Sequence, residues 1–189
     1  MSRERIAVLG AAHDGRQLAA ELAAAGFEIL FNDLMPNNTE RAKVEIETNL
    51  QAFAAANRIP SAAEALARIE FVPLMEDAMR SSHIVFEYGP DDLESKLEMF
   101  SLLERLCLPG TVIVSMARNF SVSFVASVTM RHAEIVELHW ETKPEGGRRI
   151  VLKYTGETSP ETIARVEPIA RQLCSDVELS LEKPEEATK

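Results

Sequence analysis

The feature that most restricts the fold is an alternation of short aliphatic or β-branched runs with longer segments of helical period. Residues 6–9 form a strand-like run, and Leu18, Ala19, Leu22 and Ala23 then share one face of a helix over about 15–25, which Gly26 ends. A second strand over 27–31 follows. A long helix opens at Asn38, carries Ala42, Ile46, Leu50 and Phe53 at i, i+4 spacing and closes near Asn57, with Pro60 blocking continuation. The alternation predicts an α/β fold: a doubly wound, mostly parallel sheet with helices on both faces.

The pattern continues to the end of the chain. Ser61 and Glu64 make a capping box for a short helix through Arg68, residues 69–73 hold a third strand, 76–81 a turn of helix and 83–87 a fourth strand. A helix over 91–107 is periodic on Leu93, Leu97, Phe100, Leu103 and Leu106 and breaks at Leu108-Pro-Gly. Residues 111–115 are a fifth strand, followed by a Ser/Asn loop and a helix near 122–128. Two further strands over 135–139 and 150–154 are joined by the polar stretch ETKPEGGRR; Ser159 caps a last helix to about Cys174, and 177–181 is a final strand. With 189 residues, one domain over 1–182 and a polar tail over 183–189 are expected. The chain opens with Met and ends in its own polar tail, and is read as complete.

Composition narrows the partners. Thirty acidic against twenty basic residues give a formal charge of -10, without a Lys/Arg cluster, which argues against nucleic acid and anionic membranes. No apolar run could span a bilayer, and no signal-peptide cleavage pattern follows the charged N-terminus, so a cytoplasmic location is expected. Cys107 and Cys174 lack metal or redox spacing and are expected to be buried free thiols; no metal site is expected.

Chemistry concentrates first in the stretch GAAHDG, residues 10–15, directly after the first strand. Gly10 and Gly15 hold the first and third places of GxGxxG, while Ala12 replaces the second glycine and crowds a pyrophosphate there. His13 reads as a solvent-facing turn residue. Asp14 sits at the helix N-terminus, where the dipole stabilises it without any ligand; about 5 Å from a pyrophosphate charge it would cost roughly 3 kcal/mol at an effective dielectric near 20. Asp33 follows Gly10 by 23 residues, a spacing suited to a carboxylate that accepts hydrogen bonds from an adenosine ribose, and favours NAD over NADP. A strand-end turn residue is the alternative reading of Asp33.

The stretch IAVLGAAHDGRQLAAELAAAGFEILFNDLMPNNTERA resembles the opening βαβ unit of the NAD-binding Rossmann domain of the 3-hydroxyacyl-CoA dehydrogenases, and NRIPSAAEALARIEFVPLMEDAMRSSHIVFEYGPDDLESK follows the same family's order and spacing. By that resemblance Asp33 is the ribose-binding acid, Asp91 and Lys96 fall on a Glu and a Lys that contact the cofactor, and Glu87 matches a further acid. The family's Ser-Asn-Thr-Ser-Ser loop is Ser115-Met-Ala-Arg-Asn119 here, so Arg118 replaces a functional serine and Asn119 keeps a place at the cofactor. Leu138-His139-Trp140 matches the family's catalytic Leu-His-Phe, whose histidine is the base. Its orienting glutamate, twelve residues on, is Val151, and a nearby Asn is Thr142. Glu141, two residues along the strand, is a weak substitute partner, and a structural histidine is the alternative for His139.

The family's helical C-terminal domain, which completes the acyl-CoA site and the dimer, has no counterpart in this chain. The resemblance therefore implies an NAD-binding oxidoreductase domain with a degraded catalytic site. It would transfer hydride between NAD and a 3-hydroxyacyl-CoA or small hydroxy-acid substrate if active, with a partner chain supplying the absent helical domain; a protein partner or a homo-oligomer is expected. A non-catalytic Rossmann module that binds a nucleotide weakly or serves as a protein scaffold is the alternative.

Overall fold

The structure is a computed structural model, and it describes residues 4–10, 13–33 and 38–183. The chain divides into two compact units, one over 1–89 with 106–109, the other over 90–105 with 110–189.

In the first unit four strands, β1 (Arg5–Leu9), β2 (Glu28–Asn32), β3 (Ile69–Phe71) and β4 (Ile84–Glu87), pair in parallel. β1 lies between β2 and β4, so Ile6 to Leu9 are 0% exposed, as a continuous apolar run requires when both sheet faces are covered. Helix α1 (His13–Ala24) follows β1 and buries Leu18, Ala19, Leu22 and Ala23. It ends in a Schellman motif: Gly26 adopts φ 95, its N–H donates to Ala23 O at 3.0 Å, and Phe27 N–H donates to Leu22 O at 3.1 Å. Helix α2 (Thr39–Ala55) closes the same way, with Asn57 at φ 56 and Arg58 N–H on Phe53 O at 2.9 Å. Its start differs from expectation, because Asn38 is in the helical region and its side chain caps nothing. Ser61 does cap α3 (Ala62–Leu66), accepting from Glu64 N–H at 3.2 Å. Helix α4 (Met75–Ser81) precedes β4.

The second unit carries most of α5 (Leu93–Leu106), then β5 (Val112–Ser115), α6 (Val122–Ser127), a short 3-10 helix (His132–Glu134), β6 (Ile135–Thr142), β7 (Arg148–Tyr154), α7 (Pro160–Leu173) and β8 (Val177–Leu181). β5 and β6 are parallel, β6 and β7 antiparallel, β7 and β8 parallel. The polar stretch between β6 and β7 is thus strand at both of its ends: pairing runs out to Thr142 opposite Arg148, and residues 143–147 form the turn. Ser159 caps α7, accepting from Thr162 N–H at 3.1 Å.

Two expectations need correction. Leu93 and Leu97 of α5 are 51% and 41% exposed, whereas Lys96, Met99, Phe100 and Leu103 are buried. Two overlapping stripes satisfy the helical period there, and packing selects the one that takes Lys96 inward. Cys107 is buried, but Cys174 is only half-buried, at the C-terminal end of α7, with its thiol donating to Arg148 O at 3.4 Å. Among the described residues no helix is long and apolar enough to cross a membrane, and no cluster of three or more His, Cys, Asp or Glu could hold a metal ion. Ala12 and the tail beyond Lys183 lie outside the described residues.

Candidate functional site

In the first unit the turn after β1 is shaped by its two glycines. Gly10 has φ 113, and a Cβ placed on it would lie 2.5 Å from Tyr88 O; a Cβ on Gly15 would lie 2.6 Å from Gly10 O. Gly10 N–H donates to Asn32 O at 3.0 Å, tying the turn to the end of β2. The chain's own backbone therefore demands glycine at the first and third places, and neither position puts a side chain at the start of α1, where a helix N-terminus suits a pyrophosphate. His13 is exposed and Asp14 half-buried in the first turn of α1.

Asp33, at the end of β2, has a side chain 0% exposed, and one of its oxygens accepts from Arg16 at 3.2 Å. Arg16, itself 5% exposed, also donates to Glu45 at 2.7 Å, and the other Glu45 oxygen accepts from Arg41 at 2.8 Å. Burial works against the Arg16 charge, but the hydrogen bonds to Glu45 and Asp33 outweigh it and hold the guanidinium above its ordinary value. Arg16, and then Arg41, hold the Glu45 carboxyl below the usual range. Arg16 was visible in sequence as the residue after the third glycine; its coupling to Asp33 across α1 and β2 was not. Glu87, at the end of β4, is buried and accepts from the Gly89 N–H.

In the second unit Asp91 and Asn119 meet. One Asp91 oxygen accepts from Arg118 N–H at 3.0 Å and Asn119 N–H at 2.9 Å, and Asn119 Nδ2 donates to Asp91 O at 3.2 Å. Asp91 thus clamps the loop after β5, and among the described residues its second oxygen is buried with no hydrogen-bond partner. Arg118 is exposed, and Lys96 is 1% exposed. Ser115 is buried, its Oγ accepting from Ala117 N–H at 3.3 Å.

His139 lies on β6 with its side chain 22% exposed, directly opposite Val151 on β7. Glu141 is not its partner: Arg149 donates to Glu141 through Nε at 2.9 Å and a terminal nitrogen at 2.8 Å. The contact comes from the other side of the strand position. Glu137 Oε1 lies against His139 Nε2 without hydrogen-bond alignment, and the Glu137 side chain is 2% exposed. Sequence reasoning missed Glu137. The available signal was a lone carboxylate between buried Val136 and Leu138.

The model of the family "3-hydroxyacyl-CoA dehydrogenase, NAD binding domain" matches residues 5–177. A 5-formyl-3-hydroxy-2-methylpyridine 4-carboxylate 5-dehydrogenase of Mesorhizobium japonicum is 25% identical over 89% of this chain, and a probable 3-hydroxybutyryl-CoA dehydrogenase of Bacillus subtilis is 27% identical over 92%. The chain spans only 54% and 61% of those two relatives. Among solved structures, the (S)-3-hydroxybutyryl-CoA dehydrogenase of Ralstonia eutropha superposes with a TM-score of 0.84 at 20% identity, covering 97% of this chain and 65% of that one, which is a likeness of fold.

Proposed function

We propose, from the premise that the chain belongs to the NAD-binding-domain family of the 3-hydroxyacyl-CoA dehydrogenases, that it is the dinucleotide-binding part of an oxidoreductase acting on a 3-hydroxyacyl-CoA or related small hydroxy substrate. The observation that carries this reading is that the backbone requires glycine at both Gly10 and Gly15, where β1 leads into α1, in the same unit as the buried Asp33 carboxylate at the end of β2. Gly10 and Gly15 give the pyrophosphate its approach, with His13 and Asp14 in the first turn of α1, and Asp33 receives the ribose hydroxyls. By the family resemblance Asp91, Lys96 and Asn119 are further cofactor-binding candidates, and Asp91 fixes the Asn119 backbone.

NAD, when bound, supplies the acceptor for the substrate's hydride. His139 takes the hydroxyl proton as that carbon becomes a carbonyl, the role of a positioned general base. A second reading, a non-catalytic scaffold that binds a nucleotide weakly or binds protein, is favoured by one observation: the apolar Val151 stands directly across from His139.

Thermal melts with NAD and NADH test dinucleotide binding, and no rise in midpoint at millimolar cofactor refutes it. Loss of absorbance at the NADH band with acetoacetyl-CoA tests the chemistry. His139→Ala is expected to abolish that rate; a rate unchanged in this variant removes the base assignment, and binding without turnover selects the scaffold reading.

A further inference from the structure

We propose that Glu137 is the positioning carboxylate of His139, taking the role for which the family resemblance would have placed a glutamate at Val151. The proposal rests on the reading of His139 as the base and adds the group that orients it.

Residues 137, 139 and 141 of β6 point to one sheet face, together with their cross-strand partners Lys153, Val151 and Arg149. Two carboxylates flank His139 on that face. Arg149 captures Glu141 with two donors on one oxygen, so its carboxylate is turned along β7. Glu137 is engaged differently: Oε1 lies on the imidazole Nε2, and among the described residues Oε2 has no hydrogen-bond partner. The side chains of both Glu137 and His139 lean along the strand to meet, as i, i+2 neighbours can when both are long.

A carboxylate buried in mid-strand with an unsatisfied oxygen costs stability, and an apolar residue of similar volume would serve the sheet better. Glu137 also sits opposite Ser115 on β5, one step before the loop that Asp91 clamps. Its burial therefore lies opposite the end of β5, where the chain leaves the sheet for that loop.

With a carboxylate on one ring nitrogen, the other nitrogen is left to accept the substrate's hydroxyl proton, and the ring orientation is held between turnovers. In the oxidation direction the O–H proton passes to that ring nitrogen as the carbonyl forms, and NAD, when bound, would take the hydride that leaves the carbon.

The test uses the full chain, labelled with nitrogen-15 in histidine, and reads the imidazole nitrogens of His139 at pH 7 beside steady-state rates with NADH and acetoacetyl-CoA. Glu137→Gln is expected to move the His139 ring-nitrogen resonances and to lower kcat by about 10²-fold, with KM within about twofold because substrate contacts are untouched. Glu137→Gln with Val151→Glu returns a carboxylate from directly across the ladder, where paired Cβ atoms lie about 5 Å apart, and is expected to restore the resonances and most of kcat. Ring-nitrogen resonances unmoved by Glu137→Gln overturn the proposal, and so does a failure of Val151→Glu to restore them. Where Glu137→Gln does not fold, Glu137→Asp is read by the same resonances. A wild-type protein without turnover of acetoacetyl-CoA refutes the substrate proposed above, while the resonances still decide the pairing.

Discussion

Arg16→Met keeps an unbranched apolar stem and deletes the charge that joins α1 to the end of β2. Arg16 and Asp33 are 6% and 0% exposed at the side chain and 3.2 Å apart, so little water screens them. At an effective dielectric near 20 their attraction is about 5 kcal/mol, and removal of one member of a buried pair costs about 3–5 kcal/mol because the other charge stays behind. Asp33 has further contacts, so the lower end, about 3 kcal/mol, applies. In a chain of this size each kcal/mol moves Tm by about 2–4 °C, which gives a fall of roughly 6–12 °C. Melts followed by far-UV circular dichroism on the wild type, Arg16→Met and Arg16→Met with Asp33→Asn measure this directly. The double variant is expected to recover several degrees, since it leaves no buried anion without its guanidinium. A single variant within about 2 °C of wild type, or a double variant no better than the single, would refute the electrostatic reasoning.

Other expectations follow from the same unit. Because Arg16, then Arg41, hold Glu45 below the usual carboxyl range, its stabilisation is complete above about pH 4.3 and is lost as pH falls through the lowered folded value. The urea midpoint gap between wild type and Glu45→Gln should accordingly be full at pH 7 and narrow as pH falls below about 4.3; a gap that widens in acid has the wrong sign. Gly10→Ala meets Tyr88 O at 2.5 Å with φ 113, and should lower stability by at least about 2 kcal/mol in urea titration. Asp14→Met should tighten NAD by up to about two decades at low salt if its carboxylate sits about 5 Å from the pyrophosphate, and an unchanged affinity in calorimetry means that it faces away.

Local signals were the legible ones. Gly26 and Asn57 end helices through their own left-handed backbone, and Ser61 and Ser159 cap the next ones through their own hydroxyls; such interactions span a few residues and are written in adjacent letters. The β1–α1–β2 unit, with its glycines and Asp33, was legible for the same reason. Partner choice was not. The burial of Lys96 in place of Leu93 and Leu97 depends on which of two stripes meets the sheet. Glu141 and Glu137 stand at equal sequence distance from His139, and only the position of Arg149 on the neighbouring strand decides between them. Arg16 similarly pairs with acids 17 and 29 residues away.

The β6–β7 hairpin turns over residues 143–147, closed by Lys143 N–H on Gly147 O at 3.1 Å and by Gly146 and Gly147 at φ 94 and 86. Side chains in a strand alternate with period two, so a single inserted or deleted residue in that tip would slide one strand past the other and bring Ile150 or Leu152 to face His139. The length of the turn, more than the identity of Pro144 or Glu145, therefore sets which side chain faces the imidazole.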